Sequence, residues 1–158
     1  MATPKTHIRV ATPDDARFIA AIENDIELKR LVGGVSGKSE EDYRTFLGAP
    51  RDLRFLIVES STTGIPIGVC GLLTGSFSED CEIRVILMKD YWRQGRGTEI
   101  ASALKERAAE VYPGKHLTAK IHPENTESLK IARTLGMTED GTIVHGSYDG
   151  WILFGSCT

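Results

Sequence analysis

The chain has 158 residues, of which 41% are hydrophobic and 26% are charged, and its formal net charge is −3. This size and composition predict one folded domain with its own hydrophobic core, and they exclude a mainly disordered chain. The small negative charge argues against a general nucleic-acid binder, and no apolar run approaches the roughly 20 residues of a membrane span.

The first third of the chain predicts a strand followed by helices. Residues 7–11 alternate as in a strand, and Thr12-Pro13-Asp14-Asp15 combines the cap, proline and acidic residues of a helix start. Helical periodicity runs to about Asn24 and resumes through 26–31, until a glycine-rich stretch interrupts it. A second helix start at Ser39 leads to a helix that ends at Gly48.

The remaining residues predict a sheet with two further helices. Apolar runs at 55–58 and 67–73 indicate an antiparallel hairpin, and a third strand from Cys81 to about Met88 follows a turn at 75–78. The later elements are a helix from Gly97, a strand at 116–121, a helix from Asn125 to Gly136, and two strands between 141 and 154. The order β-α-α-β-β-β-α-β-α-β-β predicts one α/β (α+β) domain over residues 1–158, with a mixed, mostly antiparallel sheet flanked by helices.

The amino terminus and the cysteines bear on the compartment. No apolar segment follows a positively charged start, so we expect no secretory signal and a cytoplasmic protein. The three cysteines, Cys70, Cys81 and Cys157, are odd in number, widely spaced and without a CxxC pair. They predict buried thiols rather than a disulfide framework or a zinc site, and we expect no metal.

The stretch most informative about function joins a strand to a helix at residues 87–100. It contains two glycines, Gly95 and Gly97, and three basic side chains, Lys89, Arg93 and Arg96. Glycine lets backbone N–H groups approach an anion, the first helical turn offers unpaired donors, and arginine grips phosphate through two hydrogen bonds. The stretch therefore predicts a pyrophosphate site, with an ordinary solvated turn as the alternative.

Two other phosphate-binding motifs do not fit. A GxGxxG fingerprint needs a third glycine where Ile100 stands, and the preceding strands are predicted to be antiparallel rather than part of a βαβ unit. Gly37-Lys38-Ser39 imitates the end of a Walker A loop, but the first glycine of that motif would fall on Val32, after a predicted helix. Lys38 is therefore interpreted as a loop charge.

The sequence resembles the GNAT superfamily of acetyl-CoA-dependent N-acetyltransferases, whose pyrophosphate loop is written Q/R-x-x-G-x-G/A. Here the loop reads Trp92-Arg93-Gln94-Gly95-Arg96-Gly97, with Trp92 in place of Gln or Arg. Four further features resemble the branch that contains ribosomal-protein N-terminal acetyltransferases: Tyr91-Trp92 before the loop, Thr98-Glu99 after it, Cys81-Glu82-Ile83, and Asn125-x-x-Ser128 followed by Leu135-Gly136-Met137. The element order also agrees with that fold, so the resemblance covers nearly the whole chain.

The resemblance implies that acetyl-CoA enters a V-shaped gap between the strand ending at Met88 and the strand ending at Ile121. Pantetheine would bind the backbone of four residues, Val85, Ile86, Leu87 and Met88. The pyrophosphate would lie on the loop residues Arg93, Gln94, Gly95, Arg96, Gly97 and Thr98. Asn125 and Ser128 would contact the cosubstrate from the opposite helix, with a plain helix cap and a surface hydroxyl as the alternatives.

Acetyl transfer needs a neutral amine and a donor for the developing oxyanion. Glu82 is the candidate base, with a solvated strand-edge carboxylate as the alternative, and the candidate donor is a backbone N–H near Val85 or Ile86. At pH 7, deprotonation costs roughly 4–5 kcal/mol for a lysine-like amine and about 1 kcal/mol for an α-amino group. The base therefore matters more for the first kind of acceptor.

Many relatives have a tyrosine general acid seven residues after the asparagine, but here that position is Ala132. Tyr148, Tyr43, His122 and His145 could replace it, and the sequence assigns the role to none of them. The acceptor is expected between residues 24–48 and the hairpin near 145–151. An acidic group there could attract a cationic amine, with ordinary helix starts and solvated faces as the alternative; its members are Glu23, Asp25, Glu27, Glu40, Glu41 and Asp42.

The sequence thus predicts an N-acetyltransferase that acts on a primary amine, of a protein N-terminus or of a small molecule, in a direct ternary complex. The missing tyrosine keeps open a non-catalytic module of the same fold that binds or senses an acyl-CoA. We expect no nucleic-acid or membrane partner. A homodimer is left open, because related enzymes are often dimers.

Overall fold

The protein is described by a computed structural model that covers residues 3–49, 53–75, 79–144 and 146–157. Its strands are β1 (Thr6–Val10), β2 (Leu56–Ser60), β3 (Pro66–Thr74), β4 (Asp80–Leu87), β5 (His116–Ile121), β6 (Thr138–Thr142) and β7 (Ile152–Cys157). Its helices are α1 (Ala16–Glu23), α2 (Ile26–Lys29), α3 (Glu40–Leu47), α4 (Arg96–Val111) and α5 (Thr126–Thr134). The predictions for residues 76–78, for His145 and for the Cys157 side chain lie outside what the structure describes.

The seven strands form one sheet in the order β1-β2-β3-β4-β5-β7-β6. Neighbouring strands are antiparallel except β4 and β5, which are parallel. The predicted mixed, mostly antiparallel sheet is therefore confirmed. The parallel pair lies in the middle of the sheet, which is the place where the two antiparallel halves meet.

Alternation along the strands divides the core between the two faces of the sheet. Ile57, Val69 and Ile86 pack with α1 and α3 on one face, and their neighbours Val58 and Cys70 belong to the cluster with α4 and α5 on the other. Because successive strand residues point to opposite faces, each buried strand supplies both clusters. Helices therefore cover both faces of the sheet and leave the site to be formed at a break within it.

Helical structure resumes at Ile26 as predicted, although the predicted order of elements did not count α2 separately. The bounds of the last two strands need correction, because they lie at 138–142 and 152–157 rather than between 141 and 154. All five residues of β6 are exposed, so this edge strand carries no apolar alternation that could mark it in the sequence. The segment between β6 and β7 contains a 3₁₀ turn at Gly146–Tyr148.

The helix start signals are satisfied in the structure. Ser39 accepts a hydrogen bond from the Asp42 N–H at 3.1 Å, and the Asp42 carboxylate accepts one from the Ser39 N–H at 2.8 Å. Ser39 is thus the cap of α3, and α2 rather than a strand precedes Lys38, so the Walker A interpretation is excluded. No helix in the described ranges is long and apolar enough to cross a bilayer.

The described cysteines behave as small apolar side chains. Cys70 and Cys81 are free thiols with no exposed surface. Burial raises the pKa of the Cys70 thiol to about 12. A thiol with such a pKa stays protonated at neutral pH and is a poor nucleophile or metal ligand.

Candidate active site

Strands β4 and β5 pair at one end and then separate. Within the described residues their pairing joins Asp80–Glu82 to His116–Thr118, whereas β4 continues to Leu87 and β5 to Ile121. Beyond Glu82 the backbone of β4 that faces β5 therefore has no partner strand. The resulting cleft measures about 690 Å³, counting the open solvent at its mouth, which is the size of a small-molecule site.

The antiparallel ladder with β3 decides which backbone groups of β4 face this gap. The Met88 N–H donates to the Ile67 carbonyl at 2.9 Å, while the Leu72 N–H, opposite Ile83, points away from β4 to the Leu53 carbonyl at 2.9 Å. In such a ladder consecutive residues alternate between the two sides. Even-numbered residues of β4 therefore bond β3, and odd-numbered residues face the gap.

This alternation corrects the predicted pantetheine contacts. The backbone of Ile86 and Met88 faces β3, so neither can complete hydrogen bonds across the gap. Val85 and Leu87 face it, and Val85 is the better placed of the two predicted oxyanion donors. The Leu87 carbonyl already accepts a hydrogen bond from the Trp92 indole Nε1 at 2.7 Å.

That bond gives Trp92 a structural role at the first position of the loop motif. Its indole ties the loop to the end of β4, which fixes where the following helix begins. Gly95 then caps α4 with φ of 79°, a left-handed conformation that favours glycine. The first N–H groups of α4 have no acceptor within the helix, and Gly97 of this turn lies at the cleft.

The two loop glycines meet different demands. A Cβ on Gly95 would contact nothing within 4 Å, so only its backbone conformation requires glycine. A Cβ on Gly97 would lie 2.9 Å from Ile131 Cδ1, so this glycine lets α4 approach α5. Gly97 also lines the cleft. Its packing role was not foreseen from the loop motif.

The charged side chains of the loop are arranged around its turn. The Arg96 guanidinium lies 5.3 Å from the Tyr91 ring centroid and donates to the Gln94 side-chain oxygen. Arg93 is exposed, whereas Lys89 is paired with Glu27, a hydrogen bond that raises the pKa of the Lys89 ammonium. Arg93 and Arg96 are the two loop cations left without a carboxylate among the described ion pairs.

Glu82 lies at the last paired position of β4 and lines the cleft. Its carboxylate is 3.2 Å from the ammonium of Lys120 on β5. The same ammonium lies 4.6 Å from the ring centroid of Tyr148, which in turn packs edge-on against Trp151. The sequence prediction missed Lys120, although a lysine inside the otherwise apolar end of a strand was a visible signal.

Next to Glu82 on the same face of β4, Arg84 joins a buried ion network. Its guanidinium contacts the Glu23 carboxylate at 2.6 and 3.2 Å, and the Lys29 ammonium contacts that carboxylate at 2.9 Å. Glu23 is 2% exposed and Lys29 is 3% exposed. Burial lowers the pKa of the Lys29 ammonium, although the Glu23 carboxylate opposes that shift.

The six acidic residues predicted to attract the acceptor all have partners within the protein. Glu23 lies inside the protein, one helical turn after the buried Ile19, which is the sequence signal that could have placed it there. The other five acids cap helices or pair with surface cations: Asp25 with Leu28 N–H, Glu27 with Lys89, Glu40 and Glu41 with Arg44, and Asp42 with Ser39. The structure favours the alternative of helix starts and solvated pairs.

On the opposite wall, α5 places Asn125, Ser128 and Ala132 along the cleft. The Asn125 side-chain oxygen accepts from the Ser128 N–H at 3.2 Å, so the helix-cap interpretation describes its resting state. Its amide also donates to the Leu31 carbonyl at 3.3 Å. Ala132 is buried and offers no acidic group at the position where relatives have tyrosine.

Of the four possible replacement acids, Tyr148 is the described one that lines the cleft. Tyr43 is 2% exposed, and its hydroxyl donates to the Ser36 hydroxyl at 2.7 Å in the core beside α3. Burial raises the pKa of the Tyr43 phenol. His122 packs edge-on against Trp151 and faces Glu124.

A family model, the acetyltransferase (GNAT) domain, matches residues 5–138. The chain belongs to the GNAT acetyltransferase family. The predicted resemblance of the chain to that family is therefore confirmed. A search of curated protein sequences found no significant match.

Solved GNAT structures are similar over nearly the whole chain. A spermidine N-acetyltransferase from Vibrio cholerae in complex with CoA and spermine has a TM-score of 0.79 at 14% identity, covering 97% of this chain and 94% of its own. A ribosomal-protein-S5-alanine acetyltransferase from Vibrio fischeri has a TM-score of 0.75 at 15% identity, with 99% and 95% covered. The putative acetyltransferase yncA from Salmonella typhimurium with acetyl-CoA has a TM-score of 0.73 at 21% identity, with 95% and 90% covered. At these identities the likeness supports the GNAT fold.

Proposed function

We propose that this GNAT protein transfers the acetyl group of acetyl-CoA to a primary amine by direct attack in a ternary complex. The separation of β4 from β5 after Glu82 is the observation that carries the proposal, because it leaves backbone donors and acceptors facing an open cleft. Two of the similar structures, the V. cholerae and S. typhimurium proteins, are described as complexes with CoA or acetyl-CoA. Their ligands support the proposal that the same cosubstrate binds in the cleft described above.

Different residues around the cleft would bind different parts of acetyl-CoA. The Val85 backbone would bond a pantetheine amide, replacing a missing strand partner. The first turn of α4 and the two cations Arg93 and Arg96 would hold the pyrophosphate. Asn125 and Ser128 on α5 lie on the other wall, where they would contact the pantetheine arm.

In the proposed reaction the amine nitrogen attacks the thioester carbonyl carbon. An N–C bond forms, the C–S bond breaks, and the amine proton passes to the Glu82 carboxylate directly or through one water. The Val85 N–H would meet the oxyanion that develops on the carbonyl oxygen. The leaving thiolate is protonated by solvent, which the ordinary pKa of a thiol near 8.5 permits without a tyrosine at 132.

The binding half of the proposal is tested at Thr98. We expect Thr98→Glu to abolish CoA binding in calorimetry, because a carboxylate in the first turn of α4 repels the pyrophosphate and takes its donors. The fold should persist, since an acidic side chain suits a helix N-terminus. Thr98→Gln is the matched control of equal size without charge, and it should keep measurable binding. Equal CoA affinity in Thr98→Glu and the wild type would contradict the site.

The chemical half is tested at Glu82. We expect Glu82→Gln to lower the rate of acetyl-CoA-dependent thiol release by about 100-fold or more while CoA affinity stays the same. Glu106→Gln, an exposed position on α4, is the control. Loss of CoA affinity together with rate would assign Glu82 to binding instead. Tight CoA binding with no thiol release from any of a broad panel of amines would favour the sensing module.

A further inference from the structure

The acceptor side of the cleft carries more cations than carboxylates. Among the described charged side chains that line the cleft, Arg84 and Lys120 are cations and Glu82 is a carboxylate, while Glu23 and Lys29 are buried behind Arg84. Glu23 forms ion pairs with Arg84 and Lys29, and Glu82 forms one with Lys120. A surplus of positive charge beside the acceptor position disfavours a polycationic amine and favours an acceptor that brings a negative group.

Of these three cations, Lys120 is the one that a ligand can reach. Its side chain keeps 33% of its surface exposed, whereas that of Lys29 keeps 4% and Arg84 is held by two contacts to Glu23. Its ammonium is bound to one carboxylate, Glu82, and it has three hydrogens to donate. An incoming anion can therefore join or replace Glu82 at Lys120 without exposing a buried charge.

The segment 31–33 bounds this space, and Leu31 and Val32 line the cleft. The Leu31 carbonyl accepts a hydrogen bond from Asn125 on α5, and a Cβ on Gly33 would lie 3.0 Å from the Tyr148 hydroxyl. The segment thus spans from α2 to α5 and to the turn before β7. Val32, Tyr148 and Trp151 line the cleft beside this segment. Because the segment encloses that part of the cleft, we infer that it admits a small molecule more readily than the end of a folded protein.

We propose that the acceptor is a small amine that carries a carboxylate beside the amine, as a free amino acid does, and that Lys120 binds that carboxylate. The proposal rests on the proposed function and specifies its substrate class. When the acceptor carboxylate takes the Lys120 ammonium, Glu82 loses its ion pair and becomes free to accept the amine proton. Binding of an acceptor with a carboxylate therefore also frees the Glu82 carboxylate from Lys120.

The test measures equilibrium binding, so that it does not depend on turnover. The twenty common amino acids, their carboxamides and spermidine are titrated by calorimetry into the protein, with and without CoA. At least one amino acid should bind about ten-fold more tightly than its own amide, and spermidine more weakly than that acid. Lys120→Met should remove the preference for the acid, whereas Lys130→Met, an exposed lysine on α5, should keep it.

Three results would overturn the proposal: no amino acid that binds more tightly than its amide, tighter binding of spermidine than of any acid, or an unchanged acid preference in Lys120→Met. Thiol release is measured separately with the acids that bind. Lys120-dependent binding without thiol release would refute acetyl transfer and keep the carboxylate site. Transfer to amides or spermidine as fast as to acids would keep the proposed function and refute the assignment of Lys120.

Discussion

Glu23 is a buried carboxylate that forms ion pairs with two cations. Its carboxylate holds Arg84 on β4 and Lys29 on α2, and the three side chains join two helical elements to the central strand beside the cleft. A buried ion pair contributes little net stability compared with apolar packing, but the loss of one member leaves the others uncompensated. Glu23 therefore matters for stability and for the position of Arg84.

The first prediction concerns that carboxylate. We expect Glu23→Gln to lower the free energy of unfolding by about 3–5 kcal/mol, because two cations with little exposure would lose their counter-charge. Glu27→Gln is the control, since both side chains of the Glu27–Lys89 pair are 63% exposed and its loss should change the free energy of unfolding far less. Urea unfolding measures both. Equal losses in the two variants would show that burial of the network is irrelevant.

The second prediction is a dependence on pH at Asp15. Desolvation raises the pKa of this carboxyl, but hydrogen bonds from Arg9 and from the Thr12 N–H outweigh it, so the pKa is lowered in the folded protein. A carboxyl with a lowered folded-state pKa adds stability above its unfolded value of about 3.9 and loses it as the pH falls through the folded value. The stability gap between wild type and Asp15→Asn should therefore shrink below about pH 4 in urea titrations. A gap that is constant down to pH 2 contradicts this.

At the scale of elements, alternation along β4 sends successive backbone groups to β3 and to the gap, and successive side chains to opposite faces of the sheet. The even-numbered backbone groups bond β3, the odd-numbered ones face the gap, and the side chains of Glu82 and Arg84 line the cleft. A one-residue shift in the pairing with β3 would exchange all of these assignments. The register of β3 with β4 is therefore a condition for the site.

The third prediction tests what holds β3 in place. A Cβ on Gly71 would lie 2.0 Å from the Arg54 carbonyl oxygen, because the chain before β2 crosses β3 at that point. We expect Gly71→Ala to lower the free energy of unfolding by about 1–3 kcal/mol or more. Gly48→Ala, where the nearest atom would be 3.4 Å away and φ is −77°, should change it by less than about 0.5 kcal/mol. Similar values for both variants would refute the close approach.

At the scale of the whole molecule, the cosubstrate should act as a stabilising ligand. At a concentration of 100 times its Kd, CoA should add about 2.7 kcal/mol and raise Tm by about 5–10 °C for a domain of this size. Thr98→Glu should show no such rise at the same concentration. A wild-type Tm that does not respond to CoA would contradict the proposed site, as would an equal rise in the variant.

Much of the molecule could be predicted from the sequence, because local signals specify it. The helix caps at Ser39 and Asn125, the left-handed glycine at 95 and the order of the elements need only short stretches of chain. The contact between Lys120 and Glu82 could not be predicted, because it depends on the register of two strands that are far apart in sequence. That Val85, and not Ile86, faces the gap depends on a different register, the one between β3 and β4. The edge strand β6 lacked an apolar pattern because neither of its faces is covered.

The three residue pairs that join β4 to β5 have a consequence for the catalytic cycle. Their backbone hydrogen bonds are the ladder that joins the two halves of the sheet. Because they lie at one end of β4 and β5, the two halves are joined at that end and separate toward the other. In the proposed complex, the extended pantetheine chain would lie between these two halves and complete the ladder as an eighth strand. Each departure of the spent thiol would then remove that strand, so we expect the enzyme between turnovers to be the more loosely joined of the two forms.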